Sequence, residues 1–267
     1  MSDNPEEHVM TFWEHLEELR ARLVRMILAF VLGGGTAWYF REELMNVLAK
    51  PFIESWIKGH HEGHARFTTL APADAFMAYV QLSAMAGAVF ALPIVLYQIW
   101  AFIAPGLYSR EKRLAIPFVF SSCGLFVGGG YFGFRFAFPK AFDFLLGFTG
   151  KLGGGIDIEA TVTVSKYIDF VTHMLIAFGV AFELPVLAFF LSIAGIVDYK
   201  QLLKFFRYFI VVAFVISAVL TPPDPLSQLL LAIPLCGLYG VSILVAYIFG
   251  RKPLLPAEAI AEAPKEP

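Results

Sequence analysis

The chain has 267 residues, of which 58% are hydrophobic and only 16% charged, with a formal net charge of -2. A soluble domain carries roughly a quarter of its residues as charges, so water is not the main solvent of this chain. The near-neutral balance, spread among loops, leaves no basic face for nucleic acid. Cys123 and Cys236 both fall inside apolar runs without metal-like or CxxC spacing, and read as small hydrophobes.

The first 22 residues are acidic, with Glu14, Glu17 and Glu18 just ahead of the first apolar run. A cleaved signal peptide opens with a basic stretch instead, so this segment is expected to stay as a cytoplasmic amino-terminal piece. Within it, Glu18 and Arg22 stand four residues apart on one helical face. Apolar runs follow at Leu23–Phe40, Ala75–Ala104, Leu114–Phe138, Lys166–Ile196, Phe205–Leu220 and Leu226–Phe249. A helix needs about 20 apolar residues to cross a hydrocarbon core of about 30 Å. The expected fold is therefore an all-α membrane protein of six transmembrane helices, with a membrane domain over 23–250. Pro93, Pro185 and Pro234 each remove a backbone hydrogen bond inside a run and predict a bent, concave bundle. The fifth run has its uninterrupted apolar part only from Tyr208 to Leu220, short enough to thin the bilayer locally.

Between the spans, Phe138 to Phe148 mixes aromatics with Lys140 and Asp143, the pattern of an interfacial helix. Basic residues cluster at Arg20, Arg22 and Arg25, at Arg110, Lys112 and Arg113, at Lys200, Lys204 and Arg207, and at Arg251 and Lys252. Six spans place all four clusters on one side, which the positive-inside rule makes cytoplasmic, together with both termini. The Pro-, Ala- and Glu-rich end, 251–267, reads as a disordered tail.

Several motifs invite chemistry and carry a plainer reading. The glycine clusters Gly33–Gly35, Gly128–Gly130 and Gly153–Gly155 do not lead to a Gly-Lys-Ser/Thr, so a phosphate loop is set aside. Gly124 with Gly128, and Gly129 with Gly133, have the small-xxx-small spacing that lets helix backbones approach in lipid. The run from His60 to His64 has metal-capable side chains but flanking glycines and no further ligand cluster, and reads as a solvated outer loop. No metal or other cofactor is expected. Glu183 differs, because a carboxylate deep in an apolar run costs several kcal/mol if it faces lipid. It must face protein, water or a polar partner; a neutral, hydrogen-bonded glutamic acid joining two helices is the bland alternative.

Four segments together resemble the TatC family, the receptor subunits of the twin-arginine protein translocase. They are His15-Leu16-Glu17-Glu18-Leu19-Arg20, Trp100-Ala101-Phe102-Ile103-Ala104-Pro105-Gly106-Leu107, Phe182-Glu183-Leu184-Pro185 and Thr221-Pro222-Pro223-Asp224. The resemblance spans about Thr11 to Arg251 with the same six-span spacing. It implies binding of signal peptides with consecutive arginines, by Glu18 and Glu111 as paired carboxylates, with Leu19, Arg20, Arg22 and Phe102 around them. It further implies Glu183 as an intramembrane polar site, and partner-helix contacts at Ala218, Thr221, Asp224 and Gln228. The partners implied are the single-span subunits TatA and TatB, membrane lipid, and further copies of the chain in a larger complex of the cytoplasmic or thylakoid membrane. Gln81 stands where many family members carry Lys, which removes a charged contact there. The rival reading is a proton-coupled secondary transporter of a small solute, which would also use a lone buried carboxylate and bent helices. No nucleophile, metal or nucleotide constellation points to an enzyme.

Overall fold

The computed structural model describes residues 12–59, 64–103, 115–152, 156–193, 195–221 and 224–250. Its helices are α1 (Phe12–Tyr39), α2 (Arg41–Lys58), α3 (Asp74–Ile103), α4 (Ala115–Phe132), α5 (Phe138–Leu146), α6 (Val164–Ile193), α7 (Tyr199–Leu220) and α8 (Pro225–Phe249). Among the described residues, six helical stretches are long and apolar enough to cross a membrane: α1, α3, α4 continued through α5, α6, α7 and α8. A spanning helix closes its backbone hydrogen bonds internally, which is why apolar runs of this length fold this way in lipid. Several hydroxyls inside the spans follow the same rule. Thr36 donates to Leu32 O at 2.9 Å, Ser217 to Ala213 O at 2.8 Å and Ser242 to Leu238 O at 2.9 Å.

The first helix begins well before Leu23, so the Glu18–Arg22 segment is one continuous rod with the first span. Likewise α7 starts at Tyr199, where Asp198 and Gln201 form a reciprocal capping box, and carries Lys200, Lys204 and Arg207 in its first turns. The expected tail from Arg251 lies outside the described residues. Pro93, Pro185 and Pro234 lie inside α3, α6 and α8 as the sequence predicts.

Helix packing runs in an open series. α1 packs on α3, α3 on α4 and α6, α4 on α6, α6 on α8, and α8 on α7. Close approach depends on glycine at two crossings. A Cβ on Gly33 of α1 would stand 2.8 Å from Gly87 O of α3, and one on Gly129 of α4 would stand 2.8 Å from the Phe182 ring of α6. Gly133 meets the Phe178 ring in the same way, whereas Gly124 and Gly128 face open space. One of the two expected small-residue pairs therefore packs and the other does not.

On the side opposite the basic loops, the connections fold back on the bundle. A π-helical turn, Gly133–Ala137, joins α4 to α5, a helix where the sequence predicts one, which buries Phe138, Ala141, Phe142 and Leu146. α2, which the sequence left within a loop of mixed charge, packs against α5, and Lys58 pairs with Asp143. Strand β1 (Phe67–Thr68) lies parallel to β4 (Val162–Thr163), and β2 (Gly150–Leu152) antiparallel to β3 (Ile156–Ile158). Phe52, Phe67, Phe142 and Tyr167 stack into one aromatic cluster beneath this cap, and Tyr167 donates to Leu48 O at 2.6 Å.

Candidate functional site

At the basic end of the bundle, the first turns of α1 lie against the last turns of α3, which brings together residues nearly 80 positions apart. Arg22 is the hinge of the contact. Its Nε donates to Glu18 Oε1 at 3.0 Å and its Nη2 reaches the same oxygen. Its remaining donors go to α3: Nη2 to Ala101 O at 3.0 Å and Nη1 to Gln98 Oε1 at 3.4 Å. Gln98 is buried, so the guanidinium is tied to a fixed acceptor rather than to solvent. The i,i+4 pair read from the sequence is thus also a joint between two helices.

The consequence for Glu18 is an asymmetric carboxylate. Oε1 is filled by Arg22, whereas Oε2 is buried without a hydrogen-bond partner among the described residues. His15 Nδ1 stands 3.9 Å from Oε2 and strengthens the ion pairing only when the imidazole is protonated. The His15 ring stacks on Phe102 with centroids 4.6 Å apart, giving a flat apolar wall beside the carboxylate. A partly dehydrated carboxylate with one free oxygen and an aromatic wall suits a cationic, planar donor such as a guanidinium. Leu19 and Arg20 are exposed on the same helical turns. Glu111 and the Ala104–Leu107 part of the second motif lie outside the described residues. Sequence reasoning missed His15 and Gln98, since neither acquires meaning until α1 and α3 are in register.

Within the spans, Glu183 of α6 is half-buried against α4. It stands at the level of Ser122 on α4, between the Phe126–Gly179 and Phe118–Val186 contacts. Its Oε1 is buried without a hydrogen-bond partner among the described residues. Helical spacing sets Glu183 at the edge of the exposed stripe His173, Ile176, Val180 and Leu187. Apolar grooves flank that stripe: one is shared with α7 and α8 through Phe209, Ile216 and Leu235, the other with α3 and α4 through Met85, Val89 and Phe126. Neither groove gathers polar groups from several helices, as a solute carrier's midplane site would.

Where α7 turns into α8, the four expected partner-contact residues lie together with different environments. Ala218 is exposed, Thr221 is buried with its hydroxyl donating to Ser217 O at 2.8 Å, and Asp224 and Gln228 are half-buried. Asp224 caps α8 by accepting from Ser227 N at 2.7 Å, and Gln228 Nε2 donates to Phe214 O at 3.1 Å. Of these three bonds, Gln228 to Phe214 O ties α8 to α7, and the other two each stay within one helix and its cap. Asp224 Oδ2 is buried without a partner among the described residues.

A family model described as "Sec-independent protein translocase protein (TatC)" matches residues 14–234. The TatC protein of Aquifex aeolicus is 40% identical over 245 residues, covering 91% of this chain and 97% of that protein. That of Koribacter versatilis is 37% identical over 244 residues, covering 91% and 87%. A crystal structure described as the twin arginine translocase receptor TatC superposes with a TM-score of 0.76 at 40% identity, covering 89% of this chain and all of that one. The same six-span arrangement is therefore shared with a solved receptor, and the transporter reading is not favoured. The chain is an integral membrane protein of protein translocation, not an enzyme, and it belongs to the TatC family of Sec-independent protein translocase proteins.

Proposed function

We propose that this chain is the signal-peptide receptor and core subunit of a twin-arginine translocase, with the 1–22 segment, the basic loops and the 251–267 tail in the cytoplasm. The observation that carries the reading is Glu18. Its Oε1 is locked by Arg22 onto α3 while its Oε2 is buried and unpartnered among the described residues, beside the His15–Phe102 stack. One arginine of the peptide donates to that free oxygen, with its apolar methylenes along Phe102. Glu111, which the resemblance pairs with Glu18, takes the second arginine, and Leu19 and Arg20 border the peptide. Arg22 is a positioning residue that holds the carboxylate in place.

Recruitment of the single-span subunits TatA and TatB is assigned to the membrane-facing surfaces: Glu183 at the exposed stripe of α6, and Ala218, Thr221, Asp224 and Gln228 at the α7–α8 corner. A polar group on a partner helix at the depth of Glu183 gains a hydrogen bond worth about 1 kcal/mol or less, which suits reversible assembly. Further copies of the chain join the same complex.

Direct binding of a synthetic twin-arginine peptide to the purified protein tests the receptor reading. Glu18→Ala and Glu111→Ala are each expected to weaken binding by about tenfold or more, since charge-assisted hydrogen bonds contribute about 1.5–3 kcal/mol. Unchanged affinity in both variants would overturn it.

A further inference from the structure

Ser121 and Ser122 sit side by side on α4, and their hydroxyls have different fates. A serine in a helix usually donates to the carbonyl three or four residues back. Ser121 does so, to Phe118 O at 3.0 Å. The carbonyl four residues before Ser122 is the same Phe118 O, already engaged by Ser121 and by the helical backbone. Ser122 is fully buried, at 0% exposure, and its Oγ has no hydrogen-bond partner among the described residues. A buried hydroxyl in this position is costly unless it turns to an acceptor it can reach.

The acceptor on the facing helix is Glu183 across the α4–α6 crossing, whose Oε1 is likewise buried and without a hydrogen-bond partner among the described residues. The crossing is tight enough to hold the two groups in register, because Gly179 of α6 sits against the Phe126 ring and Gly129 of α4 against Phe182. With Phe126 against Gly179 on one side and Phe118 clustered with Val186 on the other, the antiparallel register sets the two orphaned groups at the same level of the crossing. We propose that Ser122 is the positioning residue for Glu183: its hydroxyl engages Oε1, fixes the carboxyl in one orientation, and leaves Oε2 at the edge of the exposed stripe for a polar side chain of a partner transmembrane helix. The proposal rests on the reading of Glu183 as a partner-docking group and adds what aims it. Ser122 itself, enclosed between α4 and α6, touches no partner.

The test uses the full chain in lipid vesicles with a synthetic single-span polyleucine helix carrying one glutamine at mid-length, its docking read by energy transfer. Infrared spectra report the Glu183 carboxyl as the band that Glu183→Gln removes. Ser122→Ala is expected to shift that band and to weaken docking about threefold, the loss of one average intramembrane hydrogen bond. In the Glu183→Ala background, Ser122→Ala should have no further effect on docking. Twin-arginine peptide binding at Glu18 should be unchanged, which shows that the variant is folded. An unshifted band, or the same threefold loss with Glu183 already replaced, would overturn the positioning role. If Glu183→Ala alone leaves docking unchanged, the docking reading itself falls and takes the role of Ser122 in recruitment with it, whatever the band does.

Discussion

Arg22 shows how one side chain turns a common surface pair into part of a site. On the sequence, Glu18 and Arg22 are an ordinary helical i,i+4 pair, worth about 0.3–0.5 kcal/mol when exposed. The fold adds Gln98 Oε1 and Ala101 O as further acceptors, so the guanidinium fork is used on three groups. Lysine has the charge but not the fork. Arg22→Lys is therefore expected to lower twin-arginine peptide affinity by roughly tenfold, measured by calorimetry, while the chain stays folded; the fork loses about one charge-assisted hydrogen bond. Gln98→Leu should weaken binding less, because the 3.4 Å contact is the longest of the set. At Glu183, alanine should impair export or partner docking while leaving peptide binding intact. Glutamine should be milder because it keeps hydrogen-bonding capacity. Export assays in membranes separate the two.

Among the elements, the glycines make the sharpest statement. The sequence offered two equivalent small-residue pairs on α4, and only helix register distinguishes them: Gly129 and Gly133 meet α6, Gly124 and Gly128 meet nothing within 4 Å. Gly129→Val should destabilise the protein by about 1–3 kcal/mol through overpacking against Phe178 and Phe182. Gly128→Ala should be neutral or slightly stabilising, since alanine is the better helix former. Thermal unfolding in detergent reads both. The spans were legible because lipid demands long apolar runs, and α5 was legible from Phe138, Phe142 and Asp143. α2 was not, because its buried face of Leu48, Phe52, Ser55 and Trp56 is interleaved with Glu43, Lys50, Glu54 and Lys58. The pairing of β1 with β4 joins strands of two residues almost a hundred positions apart, with no local signal to announce it. His15 and Gln98 were hidden for the same reason, since each becomes informative only across the α1–α3 contact.

For the whole molecule, the account makes a statement of sidedness. Six spans put the α1 start, Lys200 and the α8 end on one side, and β1, β4 and Asp224 on the other, and the positive-inside rule predicts that the basic side faces the cytoplasm. Single cysteines at Lys200 and His64 should be reached by impermeant reagents from opposite faces of a sealed membrane, and labelling from one face alone would contradict the topology. On that frame the proposed peptide site lies at the basic end, and the proposed partner-docking faces lie within the membrane. The central claim is that Glu18 contacts a peptide arginine directly. A double-mutant cycle measures this most closely, pairing Glu18→Gln with replacement of each peptide arginine in turn by glutamine and reading affinity for the purified protein. The account predicts a coupling of about 1.5 kcal/mol or more between Glu18 and one of the two arginines. Additive losses for both arginines, with no coupling to Glu18, would contradict it.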